Sequence, residues 1–192
     1  DGDQPVLKNI SFDIKKGEMV GILGRTGSGK SSLVDLLLRI YNLEENQIFI
    51  DHHDIMKLTL KSVRNTMGYV PQDNFLFSDT ITNNIGFAYE KPNIDQISDS
   101  AKLADVYENI IGFKDQFETI LGERGVTVSG GQKQRISIAR ALAKDPEILI
   151  LDDSVSAVDT KTEEAIISNL HRVRKGKTTI FIAHRISTVK KM

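Results

Sequence analysis

Apolar residues recur along this chain with two periods, and the switches between them divide it into elements. In Val6–Ile14, Ile10, Phe12 and Ile14 alternate with polar residues, which predicts a half-buried strand. Lys15-Lys16-Gly17-Glu18 reads as a turn, and Met19–Leu23 as a buried strand ending at a glycine-rich loop. From Lys30 to Tyr41 the period becomes helical, with Leu33, Leu36, Leu37 and Ile40 as the stripe. Ile48–Ile50 predicts a strand closed by the turn Asp51-His52-His53-Asp54, and Tyr69-Val70 a short strand leading to Pro71-Gln72. Beyond Asp73 the texture changes. Ile94–Leu103, Val106–Ile111 and Gln132–Ala143 carry helical spacing, and no strand is expected before Ile148–Leu151. Thr160–Val173 then reads as a helix and Thr178–Ile182 as a strand. Strands alternating with helices predict an α/β fold, with a mainly parallel sheet covered on both faces and an inserted helical lobe.

With 192 residues the chain makes one domain, or one domain carrying a lobe. A net charge of -1 offers no electrostatic reason to expect nucleic acid as a partner. The absence of cysteine excludes a disulfide framework and a thiolate metal site. No apolar run approaches the roughly 20 residues that cross a bilayer; if the protein works at a membrane, the membrane part lies in another segment or another chain. His52-His53 lies between Asp51 and Asp54, but adjacent side chains in a turn rarely converge on a metal.

Two stretches carry chemistry. Gly24-Arg25-Thr26-Gly27-Ser28-Gly29-Lys30-Ser31 fits the phosphate-loop pattern between a strand and a helix. Glycines let successive N–H groups close around phosphate oxygens, and the helix offers its positive end. Lys30 would reach the β- and γ-phosphates, Ser31 would give a hydroxyl to Mg²⁺, and Ser32 completes the loop. The plain alternative is a glycine-rich turn followed by an incidental Lys-Ser. Downstream, Ile148-Leu149-Ile150-Leu151-Asp152-Asp153 delivers two carboxylates to the carboxyl edge of the sheet, where ligands of open α/β sheets bind. Asp152 is the expected Mg²⁺ carboxylate; the alternative is a solvated acidic turn.

Between these stretches, Val128-Ser129-Gly130-Gly131-Gln132-Lys133-Gln134-Arg135 opens a helix. Ser129 could simply cap that helix; the exposed N–H groups of the glycines could equally hold an anion. Taken with the phosphate loop and Asp152-Asp153, this stretch resembles the signature of the ATP-binding cassette family, with Val128 in place of the usual Leu. The order of motifs matches from Val6 to about Lys190. The resemblance implies a P-loop nucleotide-binding fold with an antiparallel β portion near its start. It divides the domain into a nucleotide-binding core, 1–72 and 144–192, and a helical subdomain, 73–143.

It also implies ATP and Mg²⁺ as ligands, clamped between two such domains arranged head to tail. Ser129, Gly130, Gly131 and Gln132 would meet the γ-phosphate held by the partner's loop. Gln72 would be the glutamine that contacts Mg²⁺ or water, although alone it reads as a surface residue. Ser156-Ala157-Val158-Asp159 would be the loop crossing the dimer interface, although Asp159 also suits a helix start. His184 would touch the γ-phosphate, although a lone histidine after a strand is usually structural. Gly122-Glu123-Arg124-Gly125 resembles the segment that meets the membrane domain in exporters; otherwise it is a charged turn.

Asp153 departs from the family, which usually places Glu there to polarise the attacking water. The shorter side chain sets the carboxylate back, and a misplacement of about 1 Å can cost on the order of 100-fold in rate. A slow site built on this chain's own loop, beside an intact signature, implies a heterodimer, one half of a multidrug- or lipid-type exporter. Such a domain works at the cytoplasmic face of a membrane against a transmembrane domain of the same or a partner chain. The resemblance further implies that the adenine-stacking aromatic lies upstream of Asp1 and the last strands beyond the end, as in a trimmed domain. Two rivals stay open: a soluble cassette protein of DNA repair or translation, and a nucleotide-sensing module with little turnover.

Overall fold

The computed structural model describes residues 6–122 and 127–184. β1 (Met19–Leu23) runs through the glycine loop into α1 (Lys30–Leu37), and β2 (Phe49–Ile50) and β3 (His53–Asp54) form a small antiparallel hairpin. α2 (Leu60–Thr66) leads into β4 (Met67–Val70). Four helices follow: α3 (Ile81–Ile85), α4 (Ile94–Leu103), α5 (Tyr107–Ile111) and α6 (Gly130–Ala143). β5 (Ile148–Asp152), α7 (Thr160–Val173) and β6 (Thr178–Ala183) complete the described chain.

β1, β6, β5 and β4 lie side by side in that order, all parallel. Their residues alternate between two cores, as the period of two in a strand demands. Leu149, Leu151 and Phe181 join Ile85, Ile97, Ile136 and Ile166 on one face. Ile150, Ile180 and Ile182 join Val34, Ile55 and Val63 on the other. Burial on both faces is why these strands read as continuous apolar runs rather than alternating ones.

Several expectations need correction. Val6–Ile14 forms no strand: Ile14 packs against the second core, while Ile10 and Phe12 are 56% and 52% exposed. Alternation reports which side chains face the protein. It cannot supply the hydrogen-bonding neighbour that makes a strand, and no strand of the described residues pairs with this segment. The first helix stops at Leu37 rather than Tyr41, because Arg39 takes a left-handed φ of 50°. Its guanidinium is held by the carbonyls of Ile55 and Leu58 at 3.0 and 2.7 Å. The buried stripe of that helix is Val34 and Leu38, and Ile40 is exposed.

The expected four-residue turn after Ile50 is a two-residue one. Asp51 and His52 both take positive φ, 47° and 65°, which matches the twist of a tight hairpin and lets His53-Asp54 pair back. Helices α2 and α3 were not expected. Each is short and opens on a threonine cap, Thr59 accepting from the Ser62 N–H at 3.1 Å and Thr80 from the Asn83 N–H at 3.0 Å. Their apolar stripes are too brief to register as a period.

Candidate functional site

The parallel register aligns four carboxyl ends on one edge. Leu23 pairs with Ala183, Asp152 with Ile182, and Val70 with Leu151. The next residues of the four strands are therefore Gly24, His184, Asp153 and Pro71-Gln72, spread over three strand spacings of about 4.8 Å each.

Gly24 opens the loop at one end of this edge. Gly27 and Gly29 take φ of 79° and 88°, a region open to glycine at little cost. At Gly29 a side chain is also excluded by contact, since a Cβ would lie 2.7 Å from Leu7 Cδ2 and 2.8 Å from Val6 Cγ1. Arg25, Thr26, Gly27 and Ser28 are exposed, so the loop presents its backbone to solvent. Lys30 is only 8% exposed. Its ammonium donates to the carbonyls of Gly24 and Arg25 at 2.7 and 2.8 Å, which holds the charge inside the loop. Ser31 and Ser32 follow on the first turn of α1.

Asp152 and Ser31 meet although β5 and β1, the strand that leads into α1, are not neighbours. The Ser31 hydroxyl donates to Asp152 Oδ2 at 3.4 Å, and the Tyr69 hydroxyl reaches the same oxygen at 3.5 Å. Asp152 is 3% exposed. Burial pushes its carboxyl above the usual carboxylate range, and the neighbouring Asp153 adds to the shift, while hydrogen bonds from Ser31 and Tyr69 oppose it. The Tyr69 phenol is pushed up to about 12, by burial first and by the charges of Asp152 and Asp35 next. A hydroxyl and a buried carboxylate within contact of each other are the hard oxygen donors that Mg²⁺ takes. A cation there would offset the desolvation that Asp152 now bears. These residues fit the ion.

Asp153 leaves the strand with φ of 44°, a left-handed turn that Asp tolerates better than most residues. Its N–H donates to the Ile182 carbonyl at 2.9 Å. Gln72 and His184 sit at the edge and are exposed. The Gln72 carbonyl accepts a long bond of 3.4 Å from Asn74.

Ser129 caps α6. Its hydroxyl accepts from the Gln132 N–H at 3.2 Å, and the Gln132 side chain accepts from the Ser129 N–H at 2.9 Å. This reciprocal box is the helix-start alternative raised by the sequence, and it is present. It leaves the far side of Gly130 open, where a Cβ would meet nothing within 4 Å. Gly131 instead lies against the chain after β5, with Ala157 O 3.1 Å from where its Cβ would be. Asp159 caps α7 through Thr162, whose N–H donates to it at 3.0 Å and whose hydroxyl donates at 2.8 Å. Those bonds hold its carboxyl below the usual range. Glu123–Gly125 lie outside the described residues.

Sequence reasoning placed Gln134 in the stretch that opens α6 but gave it no role; it is a buried amide that bonds the turn after Asp153. Sequence reasoning also missed Tyr69 beside Asp152. Only the fold brings these two side chains to the site. A cleft of about 890 Å³ is lined by Phe12, Leu33, Ile48, Met67 and Thr178. It contains none of Gly24, Lys30, Ser31, Gln72, Asp152, Asp153 or His184, and it lies between the 7–16 segment and the sheet.

A strand that empties into positive-φ glycines, with a lysine turned into the loop and a helix behind it, is the phosphate-binding element of the P-loop nucleoside-triphosphatase fold. The family model for the ABC transporter matches residues 7–156, and the chain belongs to that family. It is 46% identical over 184 residues to ABC transporter B family member 6 of Dictyostelium discoideum, covering 96% of this chain and 27% of that one. Against the mitochondrial iron-sulfur clusters transporter atm1 of Neurospora crassa it is 41% identical, covering 97% and 27%. Against the ATP-dependent lipid A-core flippase of Escherichia coli strain K12 it is 44% identical, covering 98% and 33%. A bacterial Atm1-family ABC exporter with ATP bound superposes with a TM-score of 0.92 at 42% identity, over 98% of this chain and 33% of that one. The chain thus spans about a quarter to a third of these relatives. Among the described residues no helix is long and apolar enough to cross a membrane.

Proposed function

We propose that this chain is the ATP-binding and ATP-hydrolysing domain that powers export across a membrane. It would work by ATP-driven, head-to-tail pairing with a second such domain at the cytoplasmic face, against a transmembrane domain. The observation that carries this reading is the meeting of Ser31 and Asp152 at 3.4 Å beside Lys30 and its glycine loop. The similar Atm1-family ABC exporter, seen with ATP bound, supports the direction of transport.

In this reading residues 1–72 and 144–192 form the nucleotide-binding core, and 73–143 the helical subdomain that carries the signature. The amides of Gly24–Ser32 cradle the phosphates. Lys30 exchanges its loop carbonyls for phosphate oxygens. Ser31, Asp152 and Gln72 hold Mg²⁺, which supplies neutralisation of charge on the phosphate oxygens. Asp153 orients the attacking water, and His184 contacts the γ-phosphate. Ser129, Gly130, Gly131 and Gln132 complete the partner's site.

Asp153 in place of Glu supports a heterodimer in which this chain's own loop forms the slower site. The same residue favours the second reading, a nucleotide sensor with little turnover. Calorimetric titration with ATP tests the core assignment. Lys30→Ala removes a charge-assisted contact to phosphate and should abolish measurable binding; unchanged affinity would overturn the phosphate-loop assignment. Turnover in the assembled transporter separates the engine from the sensor.

A further inference from the structure

Gln134 is 3% exposed, and its amide spends both ends on one turn. Nε2 donates to the Asp153 carbonyl at 3.2 Å, and Oε1 accepts from the Ala157 N–H at 3.1 Å. The carbonyl can only accept and the N–H can only donate, so the two partners fix the orientation of the amide. The turn they bracket starts at Asp153, in its left-handed conformation, and continues into the 156–159 loop. A hydroxyl inside that turn does not do the same work: Ser154 Oγ is buried and finds no partner among the described residues. Gly131, three positions before Gln134 and so on the same side of α6, lies against the carbonyl of the same residue, Ala157, whose N–H Gln134 accepts from.

We propose that Gln134 is a positioning residue for hydrolysis. Its amide clamps the Asp153–Ala157 turn to α6 and thereby sets where the Asp153 carboxylate stands. The clamp also joins the turn to the helix whose first residues, Ser129–Gln132, serve the partner's site. This rests on the ATPase reading above. Gln134 touches no reacting group. A shift of about 1 Å at Asp153 is enough for a large loss of rate, and two hydrogen bonds from a buried amide prevent such a shift.

The test is made in the intact protein that carries this domain, paired with its partner. Gln134→Glu keeps the shape and the acceptor for Ala157 N–H, but an ionised carboxylate cannot donate to the Asp153 carbonyl. Its ATP affinity should stay within about twofold of wild type while single-turnover hydrolysis at this site falls at least about tenfold. In an Asp153→Asn background the same change should leave the residual rate nearly unaltered, because the two positions act as a unit. An equal fall in both backgrounds, an unchanged rate, or a loss of affinity matching the loss of rate would overturn the proposal. If Gln134→Glu lowers the thermal midpoint severely, Gln134→Met, apolar and of similar length, carries the test. Failure of both to fold would show that the amide holds the fold rather than the site, which also overturns it. Wild-type protein that neither binds nor turns over ATP would instead sink the ATPase reading itself.

Discussion

Asp153 holds the sharpest residue-scale question, and the structure adds a term to it. Lengthening it to Glu carries the carboxylate towards the water, and a gain approaching 100-fold is worth about 2.7 kcal/mol of barrier. The left-handed φ of 44° suits Asp better than Glu, a strain of up to about 1–2 kcal/mol that lowers the stability of the fold rather than the rate. Asp153→Glu should therefore hydrolyse ATP faster in a forced homodimer, where Ser129–Gln132 faces the same site, while melting at a lower temperature. Single-turnover rates and a thermal scan on one sample decide both halves, and no rate increase would remove the main support for a slow site.

Tyr69 gives a pH signature at the same scale. Its phenol ionises near 10 when unfolded and near 12 when folded. Between those values the unfolded chain has already released the proton that the native state keeps, so stability falls as pH rises through that window. Below pH 10 the residue takes nothing away. Tyr69→Phe cannot ionise and gives up only a 3.5 Å bond to Asp152. Urea midpoints should thus be similar at neutral pH and should separate in favour of the variant between pH 10 and 12; parallel profiles would refute the burial of the phenol.

Among the elements, α6 has an observed capping purpose and, in the proposed reading, a second one served by the same residues. Its reciprocal cap is structural, and its open glycine side is what an anion would meet. Ser129→Ala should cost about 1 kcal/mol of stability. For a domain of 150–250 residues that lowers the melting temperature by roughly 2–4 °C. ATP binding to the isolated chain's own loop should not change. A fall in that affinity would mean that α6 contributes to the chain's own site directly, rather than to its partner's.

For the whole molecule the question is association. Gly130 is exposed and has room for a side chain. An aspartate there favours the helix dipole by about 0.3–1 kcal/mol, yet it opposes a γ-phosphate approaching from a second domain. Gly130→Asp should leave folding and ATP binding by the monomer intact and remove ATP-dependent dimerisation. Sedimentation with and without a slowly hydrolysed ATP analogue measures this. Association that persists in the variant would show that the pairing does not run through the signature.

Much of the domain was legible in its one-dimensional pattern, and the reasons are local. β1, β5, α7 and β6 were found within a residue or so of their limits, because long periodic runs bounded by turn residues leave little choice. The glycine loop was legible because its conformation is set by consecutive residues: Gly27 and Gly29 take positive φ between β1 and α1, and the glycines announce it. Pairing and approach were not legible. Val6–Ile14 has the alternation of a strand, but hydrogen-bonding neighbours come from elsewhere in the chain. Ser31, Tyr69 and Asp152 lie far apart in sequence, and only the order β1-β6-β5-β4 brings them within hydrogen-bonding reach. Gln134 reads as one more polar residue on a helix until the fold lays that helix over Asp153 and Ala157. Backbone preferences and hydrophobic period act between residues a few positions apart, so they can be read along the chain. Burial of a carboxylate and the bonds of a buried amide are relations across the sheet, and they exist only once the sheet has formed.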